Sequence, residues 1–435
     1  MRIIQTLYLQ GNDCDPFHES LGFLSPEFNW MSWALSCLQL KQYYPNVHLY
    51  TNSRGYEVLI TKLKLPYDTV FMLDDLEFPP QLWAYPKLHV YSLQSEPFLH
   101  VDGDAFFWEP LDNDLLNKPL IAQNLEINEP WYQMIIRQMI ANGLVLPETI
   151  SKHLGSGMPL AAYNAGIIGG NDLAFFKEYT SEAFDFLKRN ELKLKEVCQP
   201  QFNMVLEQVL LYCLAVKRQR EAHCYIKQPL SDMTYPGFAN FANVPYQTRF
   251  IHLMGSFKTN AECCYMLAKR LRQNYPEYYY RVIEECKKAG VKLFLNCYND
   301  SPDPTPPNTV NIDWQKVYNQ EKEQAEKIER AFTNEEGLVK ARFKTNRLLR
   351  PVVGEKEKGF NYAPDGYSRQ FKKVEGDELD QLLISALERR KTFDALLHHI
   401  SKYFDREDTS DRASFAKLIS MRLKNGCFNN VFEIV

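Results

Sequence analysis

The stretch EPFLHVDGDAFFWEP, Glu96 to Pro110, decides how the rest of the chain is read. A short apolar run, Pro97-Phe98-Leu99-His100-Val101, ends in two aspartates, Asp102 and Asp104, with only Gly103 between them. Side chains at i and i+2 of a strand point to the same face. Two aspartates at a strand exit therefore offer their oxygens to one hard divalent cation, and Gly103 lets the backbone or a ligand come close. A cation held there would neutralise a diphosphate.

Asp-x-Asp is a cheap pattern, and the chain repeats it at Asp13-Cys14-Asp15 and Asp112-Asn113-Asp114. Context separates the three. The pair at 102 and 104 alone follows a β-prone run, the one at 112 follows Pro110 and reads as a helix N-cap or turn, and the one at 13 falls in a polar loop.

With 435 residues, 45% apolar and 24% charged, the composition is that of a globular protein with room for one large domain and a smaller one. A net charge of −4 argues against a general nucleic-acid or anionic-membrane surface. No uninterrupted apolar run approaches the ~18 residues of a membrane span. The N-terminus enters strand-like sequence without the apolar segment and cleavage site of a secretory signal. The ten cysteines are scattered singly apart from Cys263-Cys264, and none forms Cys-x-x-Cys, which disfavours a zinc cluster or a disulfide scaffold. The expectation is a cytoplasmic protein with reduced thiols.

Taken in order, residues 2–9 read as a strand and Trp30, Trp33, Ala34, Cys37, Leu38 and Leu40 as a helical face that stops near Tyr44-Pro45. Val47 to Thr51 is a second strand, Glu57 to Leu63 a short helix, and Thr69 to Leu73 a third strand ending in Asp74-Asp75. Strands alternating with helices predict an α/β fold with a mostly parallel sheet whose ligands lie beyond the strand carboxyl ends. A helix starting near Pro86 carries Lys87, which either points to a ligand, pairs with an acidic residue or is a solvated surface lysine. Leu120 to Asn124 reads as a further strand, and Pro130 to Leu144 as a helix given to core packing.

Three later stretches carry chemistry. Tyr163 to Gly170 reads as a strand with glycines, Gly166 among them, where a side chain would block a close neighbour, and Asn164 can hydrogen-bond a sugar hydroxyl; a glycine-rich edge or bulge is the alternative. Glu207-Gln208 interrupts a strongly apolar helix, Gln201 to Val216, and polar groups there need a partner or a task. In Arg249 to Lys258 a histidine, His252, ends a strand-like run, with Gly255 three residues on and Lys258 six residues on. His252 is a candidate metal ligand, Gly255 permits backbone approach to phosphate, and Lys258 supplies a point charge.

The order of these motifs resembles the GT-A glycosyltransferases, and among them the glycogenin-like family 8 retaining enzymes. The likeness spans about residues 1 to 275 and is also similar to uncharacterised glycosyltransferase-like proteins of Bacteroidetes-type bacteria. It rests on Lys87-Leu88-His89 with Tyr91-Ser92-Leu93, Asp102-Gly103-Asp104, Tyr163 to Ile167, Glu207-Gln208, and His252 to Lys258. The resemblance implies that Asp102, Asp104 and His252 bind manganese (or magnesium), that Gly255 and Lys258 contact the diphosphate of a UDP-sugar, and that Lys87 and Asn164 lie near the sugar. It further implies a hexosyltransferase acting with retention, with Glu207 or Gln208 as the candidate for steadying positive charge on the sugar. The acceptor, whether glycan, peptide or small molecule, is left open. Two departures stand out: Lys258 is followed by Thr259-Asn260 where the family has Pro-Trp, and Glu207 stands where it commonly has Asp.

A GT-A-like sheet sandwiched by helices is thus expected over residues 1–298. A Pro-rich linker over 299–310, a helical and basic connector over 311–372, and a small, mainly α, winged-helix-like domain over 373–435 follow. Glu378 to Leu387, Thr392 to Phe404 and Asp411 to Lys424 read as its helices, with Thr392 and Ser410 as N-caps, and Val431 to Val435 as a terminal strand. This domain resembles the small peptide-binding winged-helix domains of peptide-maturation systems, which implies peptide binding, with an oligomerisation cap as the alternative; its third helix is not strongly basic, which disfavours DNA. Two function classes compete: a metal-dependent transferase of sugar from a UDP-sugar, and a non-catalytic nucleotide-sugar sensor that captures a peptide or protein through 373–435. Retention of both aspartates with His252 and Lys258 favours the enzyme. A nucleotidyltransferase would need a phosphate-cradling glycine loop, and none occurs before residue 60.

Overall fold

The computed structural model describes residues 1–11, 14–73, 76–127, 129–231, 234–241, 244, 248–294, 323–324, 326–351, 360–364, 371–404 and 412–435. The expected linker at 299–310, the Asp74-Asp75 pair, Asp13 and Ser410 lie outside them. The chain divides into two compact units, one of residues 1–267 with 278–293, the other of 268–277 with 294–435.

The first unit is a mixed α/β fold. Its strands, in chain order, are β1 (Arg2–Leu7), β2 (Val47–Thr51), β3 (Thr69–Met72), β4 (Phe98–Val101), β5 (Ala105–Phe107), β6 (Ile121–Ala122), β7 (Leu125–Ile127), β8 (Ala161–Tyr163), β9 (Ile167–Gly170), β10 (His223–Cys224) and β11 (Phe250–His252). Seven of them form one sheet in the order β10-β6-β9-β4-β1-β2-β3, parallel except for β9, which runs against both β4 and β6. Period-two alternation divides the core. Ile4, Phe98 and Ile168 pack with Leu88, Phe176 and Leu210 of the helices Tyr85–Ser92, Leu173–Arg189 and Leu210–Lys217. Ile3, Leu99 and Val101 pack on the other face with Leu40 of α1 (Pro26–Tyr43). Proline at the first position of α1 is preorganised for a helix start, and the helix ends two residues before Pro45.

Two antiparallel ribbons stand beside the sheet, β5 with β11 and β7 with β8. Tyr163 to Gly170, expected as one strand, is two: β8 and β9 are separated by Asn164-Ala165-Gly166, because β8 pairs with β7 while β9 enters the main sheet. The helix expected from Gln201 is likewise divided, with a π-helical segment over Val205–Val209 between Phe202–Met204 and Leu210–Lys217.

In the second unit Arg342–Thr345 is the central strand of a three-stranded antiparallel sheet, flanked by Lys391–Thr392 and Phe432–Ile434. Helices Glu378–Ala386, Phe393–Ile400 and Arg412–Phe428 pack on it through Leu383, Leu396, Ile419 and Leu423 around Phe343. Thr392 caps the second helix, and Asp377 with Asp380 forms a capping box on the first. No described helix is long and apolar enough to cross a membrane.

Candidate functional site

The two aspartates are brought together differently from the strand-face expectation. β4 ends at Val101, and Asp102-Gly103-Asp104-Ala105 is a tight turn closed by the Ala105 N–H donating to the Asp102 carbonyl at 3.1 Å. α1 shapes that turn. Ser32 Oγ donates to the Gly103 carbonyl at 2.8 Å, and Ser36 Oγ lies 3.2 Å from the Asp102 carbonyl and 2.8 Å from that of Ala105. A Cβ on Gly103 would stand 2.5 Å from the Trp33 ring, so only glycine lets helix and turn approach this closely.

β5 then delivers the second half of the site. It pairs with β11 so that Ala105 faces His252, and the Leu253 N–H donates to the Asp104 carbonyl at 3.0 Å. His252 Nε2 lies 3.3 Å from Asp104 Oδ1, and Lys258, at the end of the 3-10 turn Gly255–Lys258, places Nζ 2.6 Å from Asp104 Oδ2. One ligand atom each from Asp102, Asp104 and His252 falls within 4.8 Å of the others. Two carboxylates and one imidazole make a mixed O/N donor set that could hold a divalent metal ion. Burial pushes the Asp104 carboxyl up, but the Lys258 ammonium and His252 draw it well below the usual carboxylate range.

On the other flank Lys87 Nζ bridges Asp102 Oδ1 at 2.9 Å and Glu207 Oε1 at 2.7 Å. Lys87 is buried, so the solvated-lysine reading is set aside. Burial works against its charge, yet the two carboxylates hold its pKa above the ordinary lysine value. Glu207 is 1% exposed and also accepts from Tyr91 Oη at 3.3 Å. The π-helical turn carrying it is held by Tyr179 Oη, which donates to the Glu207 carbonyl at 2.7 Å. A π segment displaces its side chains from the α-helical register and is frequent at functional sites. His100, fully buried on β4, stands 3.6 Å from Asp102 Oδ1 and is kept neutral by burial and by Lys87.

Asn164 and Gln208 belong to a chain of polar side chains that sequence reading missed. Asn164 Oδ1 accepts from the Gly166 N–H at 3.0 Å, and its Nδ2 donates to Glu126 Oε1 at 2.7 Å. Tyr132 Oη donates to Glu126 and is 2.8 Å from Gln208 Oε1. Gln208, unlike Glu207, is half-buried. Gln123 was missed as well; its Oε1 lies 2.7 Å from His252 Nδ1. The turn and ribbons thus gather Lys87, Asp102, Asp104, Glu207, His252 and Lys258 into direct contacts. Asn164 meets the same segment through Met254 Sδ at 3.3 Å. Serines 32 and 36, spaced one helical turn apart in the most apolar part of their helix, were the signal available for the residues that shape the turn; Tyr132 and Glu126 gave none.

Residues 1–285 match the model of a family described as a family of unknown function, DUF6734. No curated protein matches the chain in sequence. Among solved structures, the crystal structure of the glycosyltransferase GlyE from Streptococcus pneumoniae is similar over 67% of this chain, at 13% identity and a TM-score of 0.30. The chain spans 65% of the GlyE chain. A likeness that distant carries no argument about activity.

Proposed function

Since the chain belongs to DUF6734, a family of unknown function, its activity has to be argued from its own residues, and we propose that it is a metal-dependent glycosyltransferase. It moves a sugar from a UDP-sugar to a glycan, peptide or small-molecule acceptor. One observation carries the reading: residues as distant in sequence as Asp102, Asp104 and His252 offer converging ligand atoms, with a lysine against each aspartate. Like charges gathered at such cost, two of them largely buried, have a use in binding a cation and a polyanion.

In this reading Asp102, Asp104 and His252 hold Mn2+ (or Mg2+), which supplies neutralising charge to the diphosphate of the donor. Lys258, one quarter exposed, turns from Asp104 to the diphosphate, and Gly255 brings main-chain N–H groups toward it. The bond from the anomeric carbon to the diphosphate oxygen breaks with both electrons leaving on UDP, and the acceptor hydroxyl oxygen bonds to the same carbon. With retention the two oxygens are on one face, so the departing phosphate oxygen takes the hydroxyl proton. Gln208, the more open of the pair, is assigned to the positive charge that develops on the sugar. Glu207 acts through Lys87, which with Asn164 borders the sugar. The second unit we assign to peptide binding or self-association, in keeping with its helix–strand–helix–helix–strand order over 378–434.

Incubating the full chain with a panel of UDP-sugars and Mn2+, and following the anomeric proton by NMR, tests the reaction. Slow release of one free sugar, first as the donor's own anomer, is expected. Intact donors throughout, with folded protein, would contradict the transferase reading.

A further inference from the structure

Gln123 follows β6 and is fully buried. Its Nε2 is 2.7 Å from Tyr235 Oη and 3.0 Å from Asn124 Oδ1, both on buried residues, which turns its carbonyl Oε1 to His252 Nδ1 at 2.7 Å. A carbonyl oxygen only accepts. His252 therefore donates from Nδ1, which leaves Nε2, the atom that faces Asp104 Oδ1 at 3.3 Å, as the nitrogen open to a cation. Nε2 and the Asp104 carboxylate face one another beside Asp102, where a divalent cation shared by them would take the place of a proton.

The contact is built with little tolerance. A Cβ on Gly166 would fall 2.2 Å from Gln123 Oε1 and 2.4 Å from His252 Nδ1. The glycine between β8 and β9 is thus the opening through which amide and imidazole meet.

We propose that Gln123 is a positioning residue that fixes the tautomer and plane of His252 and so makes Nε2 available to a divalent cation. The proposal rests on the cation-site reading of Asp102, Asp104 and His252, and it concerns a residue outside that ligand set. A hydrogen-bonded partner on the far nitrogen of a ligating imidazole raises its basicity and fixes its orientation, and its loss costs about 10–100-fold in metal affinity.

The test is titration of the full chain with Mn2+ alone, read by the EPR signal of free Mn2+ at one pH, for wild type, Gln123→Met and Gln123→Glu. Methionine keeps the length without a comparable acceptor; glutamate can only accept. Affinity should fall about 10–100-fold in the Met variant and be equal or tighter in the Glu variant. The nitrogen modulation of a histidine on bound Mn2+ should be present in wild type and Gln123→Glu and lost in Gln123→Met. Equal affinity for wild type and Met, or an equal loss in Met and Glu, overturns the role of Gln123 while leaving the cation site standing. If Gln123→Met fails to fold, a tenfold loss in Gln123→Glu alone overturns it. Absence of Mn2+ binding in folded wild type removes the cation site and the inference together.

Discussion

Asp102 and Asp104 are two residues apart and belong to different environments. On the Asp102 flank the cation is Lys87, 9% exposed in its side chain and shared with a second carboxylate, Glu207, which is itself pinned by Tyr91. On the Asp104 flank it is Lys258, 25% exposed and lying on a short turn. The first flank is a closed ion cluster anchored between the helix Tyr85–Ser92 and the π-helical turn; the second keeps an exposed arm. The same residue type is thus enclosed on one side and open to solvent on the other, and the number of carboxylates around the ammonium differs with it.

Substituting the two lysines separates the flanks most sharply. Lys87→Met leaves the buried Glu207 and the half-buried Asp102 without their cation, and is expected to lower unfolding free energy in denaturant by about 3–5 kcal/mol. Lys258→Met removes the partly exposed partner of the buried Asp104, which keeps His252 beside it, an expected loss of about 1–3 kcal/mol. It should also tighten Mn2+ binding, since a competing cation is gone, while donor hydrolysis falls. Equal destabilisation by the two substitutions would break the comparison.

Gly103 joins the flanks. Gly103→Ala drives a methyl into the Trp33 ring, and overpacking of this kind costs about 1–3 kcal/mol; the shifted turn should weaken Mn2+ binding as well. Unchanged thermal stability and unchanged metal affinity would mean that the turn and α1 are not held as described.

A surface pair sets the lower end of the scale. Asp68 accepts from Lys41 Nζ at 2.6 Å and from the Val47 N–H at 2.7 Å. Although desolvation pulls the other way, these partners hold its pKa below the ordinary value. A depressed carboxylate contributes stability above its unfolded pKa of ~3.9 and loses it as pH falls through the folded value. Asp68→Asn should therefore cost about 0.2–1 kcal/mol at pH 7, with the difference from wild type vanishing as pH drops below ~4. A gap that persists in acid would point to packing instead.

That β1, β2, β3 and β4 belong to a mostly parallel sheet was legible because apolar runs alternate with helical spacing and prolines punctuate them. The residues Asp102, Asp104, His252 and Lys258 stood out because each closes or follows a β-prone run. What brings them together was not legible: a turn in place of a strand face, and a ribbon pairing across more than 140 residues, from Ala105 to His252. Lys87 looked like any surface lysine, since its burial depends on Glu207, 120 residues away. Gln123, Glu126 and Tyr132 are ordinary in sequence and gain meaning only from partners on other elements. In the second unit, the helices showed in their spacing and in the Thr392 cap. The central strand Arg342–Thr345 lay in a stretch read as basic surface, because strand pairing with Phe432–Ile434 has no local signature.

The most direct test of the metal-and-donor site is calorimetric titration of UDP into the full chain with and without Mn2+, alongside Asp102→Ala and Asp104→Ala. The account predicts binding that requires Mn2+ and is lost in both variants. UDP binding of equal strength without Mn2+, or none by folded wild type with it, would contradict the account.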